Sequence, residues 1–426
     1  MNVKQWIHNG WNSEMMKNTL WMFLGQGLRV VIQAVYFVLI ARILGVEGYG
    51  MFMGVVSLVA VLAPFSSWGT GNLMIMNVAR DRSTFAENWG RALVMTVLTG
   101  CLLTVLTYFI SGQLLPAGSS QLVITIALSD FVLLRLLEIS SHAFQAFDRL
   151  KRTAQLQTLL SFTRLLGAVY LLLLAGSKSA QDWAVIYLCA TAVSALIGVW
   201  LVTKELGRPQ PKWSRLLEGW KDGFYFSISS ASVALYSDTN KILLVKLSTL
   251  DASGIFAAAS RLIDVALTPI RALMSAMYAS FFKEGKDGIN GSLQLAKRYL
   301  PFSSLYGIVA GLLLFLFAPV VPHILGDEYG NAVEAIRWLS VIPVIKSVNS
   351  LIQDTLTGSG FQGVRSGIQM TVALLNVAMN YLLIPLYSWK GAAMASILSD
   401  LLLTVGYWIA IQYLQQRQVQ RAASGN

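Results

Sequence analysis

Residues 18–41 read NTLWMFLGQGLRVVIQAVYFVLIA, twenty-four positions with a single charge, Arg29. A helix rises about 1.5 Å per residue and the hydrocarbon layer is about 30 Å thick, so roughly 20 apolar residues cross it. This run suffices. It is too long for the apolar stretch of a signal peptide, and no clear small-x-small cleavage site follows it. It reads as an uncleaved first span behind a polar, amphipathic Met1–Lys17. Comparable runs recur at about 48–68, 91–111, 121–147, 153–175, 182–203, 222–246, 254–282, 299–322, 335–357, 364–387 and 391–414. Twelve transmembrane helices make an all-α polytopic membrane protein. The longest polar connections, about 69–90, 204–221 and 283–298, are each too short to fold alone.

The composition agrees. Of 426 residues, 55% are hydrophobic and 12% charged, with a mean hydropathy of +0.60. A soluble domain carries about a quarter charged residues, and soluble cores stop growing near ~250–300 residues. Disorder, collagen, a disulfide scaffold and an ordinary cytosolic enzyme are excluded. Cys101 and Cys189 sit in apolar runs as small hydrophobes, and neither they nor His142 and His323 have metal-ligand spacing. Trp68, Trp89, Trp183, Trp213, Trp220, Trp338 and Trp389 fall near span ends, where indoles anchor at the interface.

A net charge of +11, from 32 Lys+Arg against 21 Asp+Glu, raises nucleic acid as a partner. The positions of the charges dismiss it. With the N-terminus inside, twenty basic residues fall in cytoplasmic segments, from Lys4 to Arg421. Five fall in outer turns: Arg42, Lys178, Lys246, Arg337 and Lys390. Cytoplasmic loops collect Lys and Arg, so this bias places both termini in the cytoplasm and explains most of the net charge.

A repeat divides the chain. Val46-Glu47-Gly48-Tyr49-Gly50-Met51-Phe52 aligns with Leu250-Asp251-Ala252-Ser253-Gly254-Ile255-Phe256 at an offset of 204, both at the turn after the first helix of a half. The linker Lys204–Lys221, with Pro209 and Pro211, separates the halves. The expected organisation is two six-helix lobes, residues 1–208 and 209–426, as a parallel repeat about an axis along the membrane normal. Gly50-x-x-x-Gly54 and Gly307-x-x-x-Gly311 read as close-packing faces.

Seven basic residues (Arg29, Arg135, Arg164, Lys241, Arg261, Arg271, Lys346) and six acids (Asp130, Glu138, Asp238, Asp264, Asp354, Asp400) remain inside spans. Each costs at least ~2.5–3.5 kcal/mol at the bilayer centre. They must line a wet cavity or pair across helices. Arg135–Glu138, Asp238–Lys241 and Arg261–Asp264 are three apart, and Asp264–Arg271 seven apart, so each couple shares a helical face. Mutual neutralisation is the plainer reading of Arg135–Glu138, and snorkelling serves Arg164, Lys346 and Asp354 nearer span ends. Arg29 differs. It lies mid-helix between Gln26 and Gln33, with no acid within helical reach, which suggests an anionic ligand or an acid from another helix. Arg261 is the second candidate, with Asp264 and Arg271 beside it. A guanidinium fork donates two parallel hydrogen bonds to a phosphate, so a cationic cavity for an anionic substrate is expected. Asp238 with Asn376 and Asn380, one turn apart, forms a candidate site for Na⁺ or H⁺; hydrogen bonding between helices is the plainer reading of the two asparagines.

Ala41-Arg42-Ile43-Leu44-Gly45 with Gly48-Tyr49-Gly50, and the run from Gly69-Thr70-Gly71-Asn72 to Val78-Ala79-Arg80, resemble signatures of the polysaccharide-transporter family. These O-antigen and oligosaccharide-lipid flippases belong to the multidrug/oligosaccharidyl-lipid/polysaccharide flippase superfamily. The resemblance implies movement of an undecaprenyl-pyrophosphate-linked oligosaccharide across the bacterial inner membrane by alternating access through a central cationic cavity. It implies no cofactor beyond a driving H⁺ or Na⁺ gradient or the membrane potential, and membrane lipid as surroundings. A polysaccharide polymerase and a chain-length regulator become candidate partners. Arg261-Leu262-Ile263-Asp264 is similar to a cavity-lining stretch of the lipid II flippases, and Asp238 with Asn376 and Asn380 to cation sites of the superfamily. The helix 2 basic pair of the lipid II branch is absent, with Trp68 and Gly69 in its place, which favours the oligosaccharide branch. The alternatives are a drug or cation antiporter of the same fold and a membrane-embedded polysaccharide polymerase or acyltransferase. The excess of buried Arg opposes the first. The short outer turns, with only His323 near Asp327 and Glu328, oppose the second.

Overall fold

Long apolar runs become helices because each backbone donor then finds its partner four residues back, with no help from solvent. The computed structural model describes the backbone of residues 14–116, 118–173, 178–216, 220–286 and 288–424, and the side chains of the first helix from Gly27 on. Among these residues there is no strand. The long helices are α1 (Glu14–Leu62), α2 (Thr70–Arg80), α3 (Phe85–Leu114), α4 (Ser120–Leu128), α5 (Arg135–Ala146), α6 (Leu150–Leu173) and α7 (Ala180–Glu205). They continue as α8 (Trp220–Leu247), α9 (Leu250–Ala266), α10 (Thr268–Glu284), α11 (Ile289–Phe317), α12 (Ala332–Leu339), α13 (Ile342–Gly358), α14 (Gln362–Tyr387) and α15 (Trp389–Ser424).

All twelve expected stretches are helical over most of their length. Among the described residues, eight helices are long and apolar enough to cross a membrane, or nine with the bent pair α9–α10 taken as one. One of the eight, within α1, carries two of the expected stretches. Residues 120–146 and 220–247 do not qualify by themselves. The first holds Asp130, Arg135 and Glu138 and is interrupted by a π turn at Ser129–Leu134; the second holds Asp238 and Lys241.

Several expected spans are broken rather than continuous. The stretch 48–68 ends its α-helix at Leu62, and Pro64 opens a short 3-10 turn, Ala63–Phe65. The stretch 254–282 bends by 42° between α9 and α10, beside Pro269. Proline lacks the N–H that would bond four residues back, and its ring crowds that carbonyl. At the second break the Tyr306 hydroxyl donates to the Ala266 carbonyl at 2.6 Å. The two prolines lie 205 positions apart, so the repeat seen at Val46 and Leu250 extends to the helix break.

Gly45 turns α1 back on itself with φ 67° and ψ 178°, a conformation a side chain would strain. The reversal brings Tyr49 against Phe37, ring centroids 5.8 Å apart. Thus Leu44-Gly45 and Tyr49 of the family-like motif build a turn.

The chain divides into two compact units, residues 1–234 and 235–426. In the first, α1 packs along α6, α6 on α7, α2 on α5 and α3 on α4, with Trp89, Phe144, Leu156 and Val202 in the core. In the second, α11 packs on α13, α14 on α15 and α9 on α12. Its cores hold Leu356, Tyr407 and Ile411, and Ile270, Phe281 and Leu351. Helix α11 shows the packing logic of a membrane protein. Phe302, Leu305, Leu312 and Leu316 face outward, all more than half exposed, while Ser303, Gly307, Ala310 and Gly311 are buried. A Cβ on Gly307 would stand 2.8 Å from the Pro343 carbonyl oxygen, so α11 and α13 touch backbone to backbone.

Candidate functional site

The second unit contains a partly open cavity of about 240 Å³. Helix α8 supplies Tyr236, Asp238 and Lys241, α9 supplies Ser260 and Asp264, and α10 supplies Arg271. From the opposite side come Lys346 of α13, Asn376 of α14 and Asp400 of α15. Lys241 meets Asp238 at 2.8 Å, as their three-residue spacing anticipates. Arg271 meets Asp264 at 2.6 Å. Seven residues of straight helix would separate those Cα atoms by about 10.5 Å along the axis; the pair closes across the α9–α10 bend. The Tyr236 hydroxyl donates to Asp400, and the Lys346 ammonium sits 5.7 Å from the Tyr236 ring centroid.

Asn376 and Asn380 are fully buried on α14. Asn380 Nδ2 donates to Asn240 at 2.6 Å and to Asn376 Oδ1 at 2.9 Å, and Asn376 Nδ2 donates to Ser399 at 2.9 Å. This chain ties α8, α14 and α15 together. Asp238 and Asn376 line the cavity; Asn380 lies behind it. Asn380 Oδ1 accepts no hydrogen bond among the described residues. Arg261, half-buried on α9, is not among the lining residues.

In the first unit, Arg29 donates to Gln157 Oε1 of α6 at 3.0 Å. An amide from another helix is thus one of the partners of Arg29. Gln33 is half-buried on α1, and the Gln26 side chain lies outside the described residues. A second buried cluster forms at the π turn. The Tyr187 hydroxyl donates to both Asp130 oxygens, at 3.0 and 3.2 Å, and Arg164 approaches Asp130 at 3.6 Å. Arg164 also donates to Thr191 at 3.2 Å and lies 3.9 Å from the Tyr187 ring centroid. Its partners are protein groups, so snorkelling is not its solution. Arg135 and Glu138 pair as expected and, with His142 and Ser227, line a smaller cavity of about 120 Å³.

Sequence reasoning put Asp238, Asp264, Arg271 and Asn376 in candidate sites, counted Lys346 and Asp400 only among the charges inside spans, and passed over Tyr236. The signal for Lys346 and Asp400 was present, since both charges interrupt apolar runs. Nothing in the local pattern points to Tyr236 or Gln157.

Comparison with known proteins supplies the family. The sequence profile of the family described as "Polysaccharide biosynthesis protein" matches residues 15–281. The chain belongs to this family. An Escherichia coli (strain K12) protein that carries the provisional name of O-antigen transporter is 23% identical over 404 residues, covering 91% of this chain and 94% of the relative. Solved structures share the fold. An inward-facing multidrug resistance transporter of the MATE family, MOP superfamily, aligns at a TM-score of 0.74 with 15% identity, over 91% of this chain and 96% of its own. A lipid II flippase in an inward closed conformation aligns at 0.73 with 12% identity, over 93% and 87%. The family member described here therefore has the all-helical fold of these transporters.

Proposed function

We propose that this protein is a transporter rather than an enzyme: a flippase for undecaprenyl-pyrophosphate-linked oligosaccharide repeat units of O-antigen or a similar surface polysaccharide. It works by alternating access across the bacterial inner membrane, with twelve spans and both termini in the cytoplasm. The observation that carries this reading is a cavity lined by three acids and three bases within a body of apolar helices, in a chain of the polysaccharide biosynthesis family. Charged groups in such a place are costly even when paired, and they characteristically mark the path of a polar substrate or ion. The name of the Escherichia coli relative and the likeness to a lipid II flippase point the same way.

In this proposal Arg29 and Arg261 bind the diphosphate, and Asp264 and Arg271 meet the substrate beside them. Gln26 and Gln33 support Arg29. An H⁺ or Na⁺ gradient enters through Asp238, Asn376 and Asn380, where a buried amide oxygen without a donor prefers positive charge. A polymerase and a chain-length regulator take over the product.

A charged-group hydrogen bond contributes about 1.5–3 kcal/mol, so each loss lowers transport roughly tenfold or more. Arg29→Ala and Arg261→Ala, expressed at normal level in a deletion strain, are expected to deplete surface polysaccharide accordingly. Wild-type polysaccharide in both variants overturns the assignment. The second reading, a drug or cation antiporter, is favoured by the MATE-family likeness. Uptake of a cationic dye by proteoliposomes, with no movement of lipid-linked oligosaccharide, would establish it instead.

A further inference from the structure

We propose that the cavity of the second unit is a subsite for an uncharged sugar ring of the substrate and does not hold the diphosphate. This rests on the flippase reading and divides its substrate between two kinds of site. The charge balance carries it. Asp238, Asp264 and Asp400 face the cavity together with Lys241, Arg271 and Lys346. Two of the cations are already engaged, Lys241 by Asp238 at 2.8 Å and Arg271 by Asp264 at 2.6 Å. A diphosphate entering here would meet as many carboxylates as cations, and it would have to displace a carboxylate to reach Lys241 or Arg271. Like charges at such distances disfavour the charged form of both.

A sugar hydroxyl meets no such conflict. It has one proton to donate and two lone pairs to accept with. It can therefore accept from a guanidinium or ammonium and donate to the neighbouring carboxylate without parting the pair. The pairs are placed for this: the Asp264 and Arg271 side chains are about half exposed, at 45% and 59%, while Asp238 and Lys241 are deeper, at 19% and 13%. Ser260, Asn240 and Ser396 add neutral donors and acceptors, and Phe256 and Ile342 offer apolar surface for the C–H face of a ring.

Size limits the guest. At about 240 Å³ the cavity is smaller than the ~300–1,000 Å³ of sites for drug-sized ligands. A volume of this size suits a single ring, with the rest of the repeat unit outside it.

The test separates sugar from diphosphate. Undecaprenyl pyrophosphate bearing no sugar is titrated into the purified full chain and followed by tryptophan fluorescence, and surface polysaccharide is measured in a complemented deletion strain. Arg271→Gln and Asp264→Asn are expected to cut surface polysaccharide at least tenfold while leaving the Kd for undecaprenyl pyrophosphate within twofold of wild type. Ser260→Met fills the cavity without touching a charge and is expected to give the same split, which keeps the test decisive if the charge variants do not fold. A tenfold weaker Kd in Arg271→Gln places the diphosphate in this cavity and overturns the proposal. Wild-type polysaccharide in Ser260→Met and Arg271→Gln overturns it as well. A wild-type protein that binds no undecaprenyl pyrophosphate, in a deletion strain that keeps its polysaccharide, refutes the flippase reading itself and the subsite with it.

Discussion

Replacing Arg164 by Met tests whether the π-turn cluster is held together by charge pairing. The substitution keeps most of the side-chain volume and removes the guanidinium, which lies 3.6 Å from Asp130 and bonds Thr191 at 3.2 Å. The Arg164 and Asp130 side chains are only 17% and 10% exposed, so Asp130 would be left as a buried charge without its cation. Removing one partner of a buried pair costs about 3–5 kcal/mol. Tyr187 still donates to both carboxylate oxygens, so the lower end, about 3 kcal/mol, is expected. The first unit spans residues 1–234, and for domains near that size each kcal/mol moves Tm by about 2–4 °C. Arg164→Met should therefore melt about 6–12 °C below wild type, read by tryptophan fluorescence in detergent. The triple variant Asp130→Leu, Arg164→Met, Tyr187→Phe removes every group that needs a partner. Apolar replacement of a buried ion pair is often neutral, so the triple variant is expected within about 4 °C of wild type. A triple variant that melts below Arg164→Met would refute the reasoning, because the polar groups would then be net stabilising together.

Two further outcomes concern packing. A Cβ on Gly311 would stand 2.5 Å from the Ser340 carbonyl oxygen, so Gly311→Leu must push α11 off the chain ahead of α13, at about 1–3 kcal/mol of overpacking. The outward-facing Leu312→Ala is the control, and equal losses of folded yield on size-exclusion chromatography in the two variants would contradict the assignment of faces. Tyr306→Phe removes the hydroxyl that serves the Ala266 carbonyl at the α9–α10 bend and is expected to cost about 1 kcal/mol. An unchanged melting curve would mean that the bend needs no such support.

Much of the architecture is local and therefore legible. Apolar runs place the helices because length against bilayer thickness is a property of consecutive residues. The pairs Arg135–Glu138 and Asp238–Lys241 form as read, since three residues of helix bring side chains to one face. The backbone contact at Gly307 follows from a small residue every fourth position on α11. The breaks were also written in the chain, as Pro64 and Pro269, although hydropathy alone drew straight spans through both. Averaging over about 20 residues blurs a single missing N–H.

The remainder depended on which helix packs beside which. Arg29 meets Gln157 at a separation of 128 residues, Asp130 meets Tyr187 at 57, and Tyr236 meets Asp400 at 164. No spacing rule reaches that far, because helical periodicity says which face a residue occupies and nothing about the face opposite. By itself, the sequence determined that this chain is a helical membrane protein with an internal repeat and thirteen costly charges inside its spans. Only the tertiary structure decided how those charges are spent: most of them pair, and the cavity of the second unit is balanced rather than cationic. The physical reason is that a charge in hydrocarbon demands a partner, while the identity of the partner is chosen by packing across the fold.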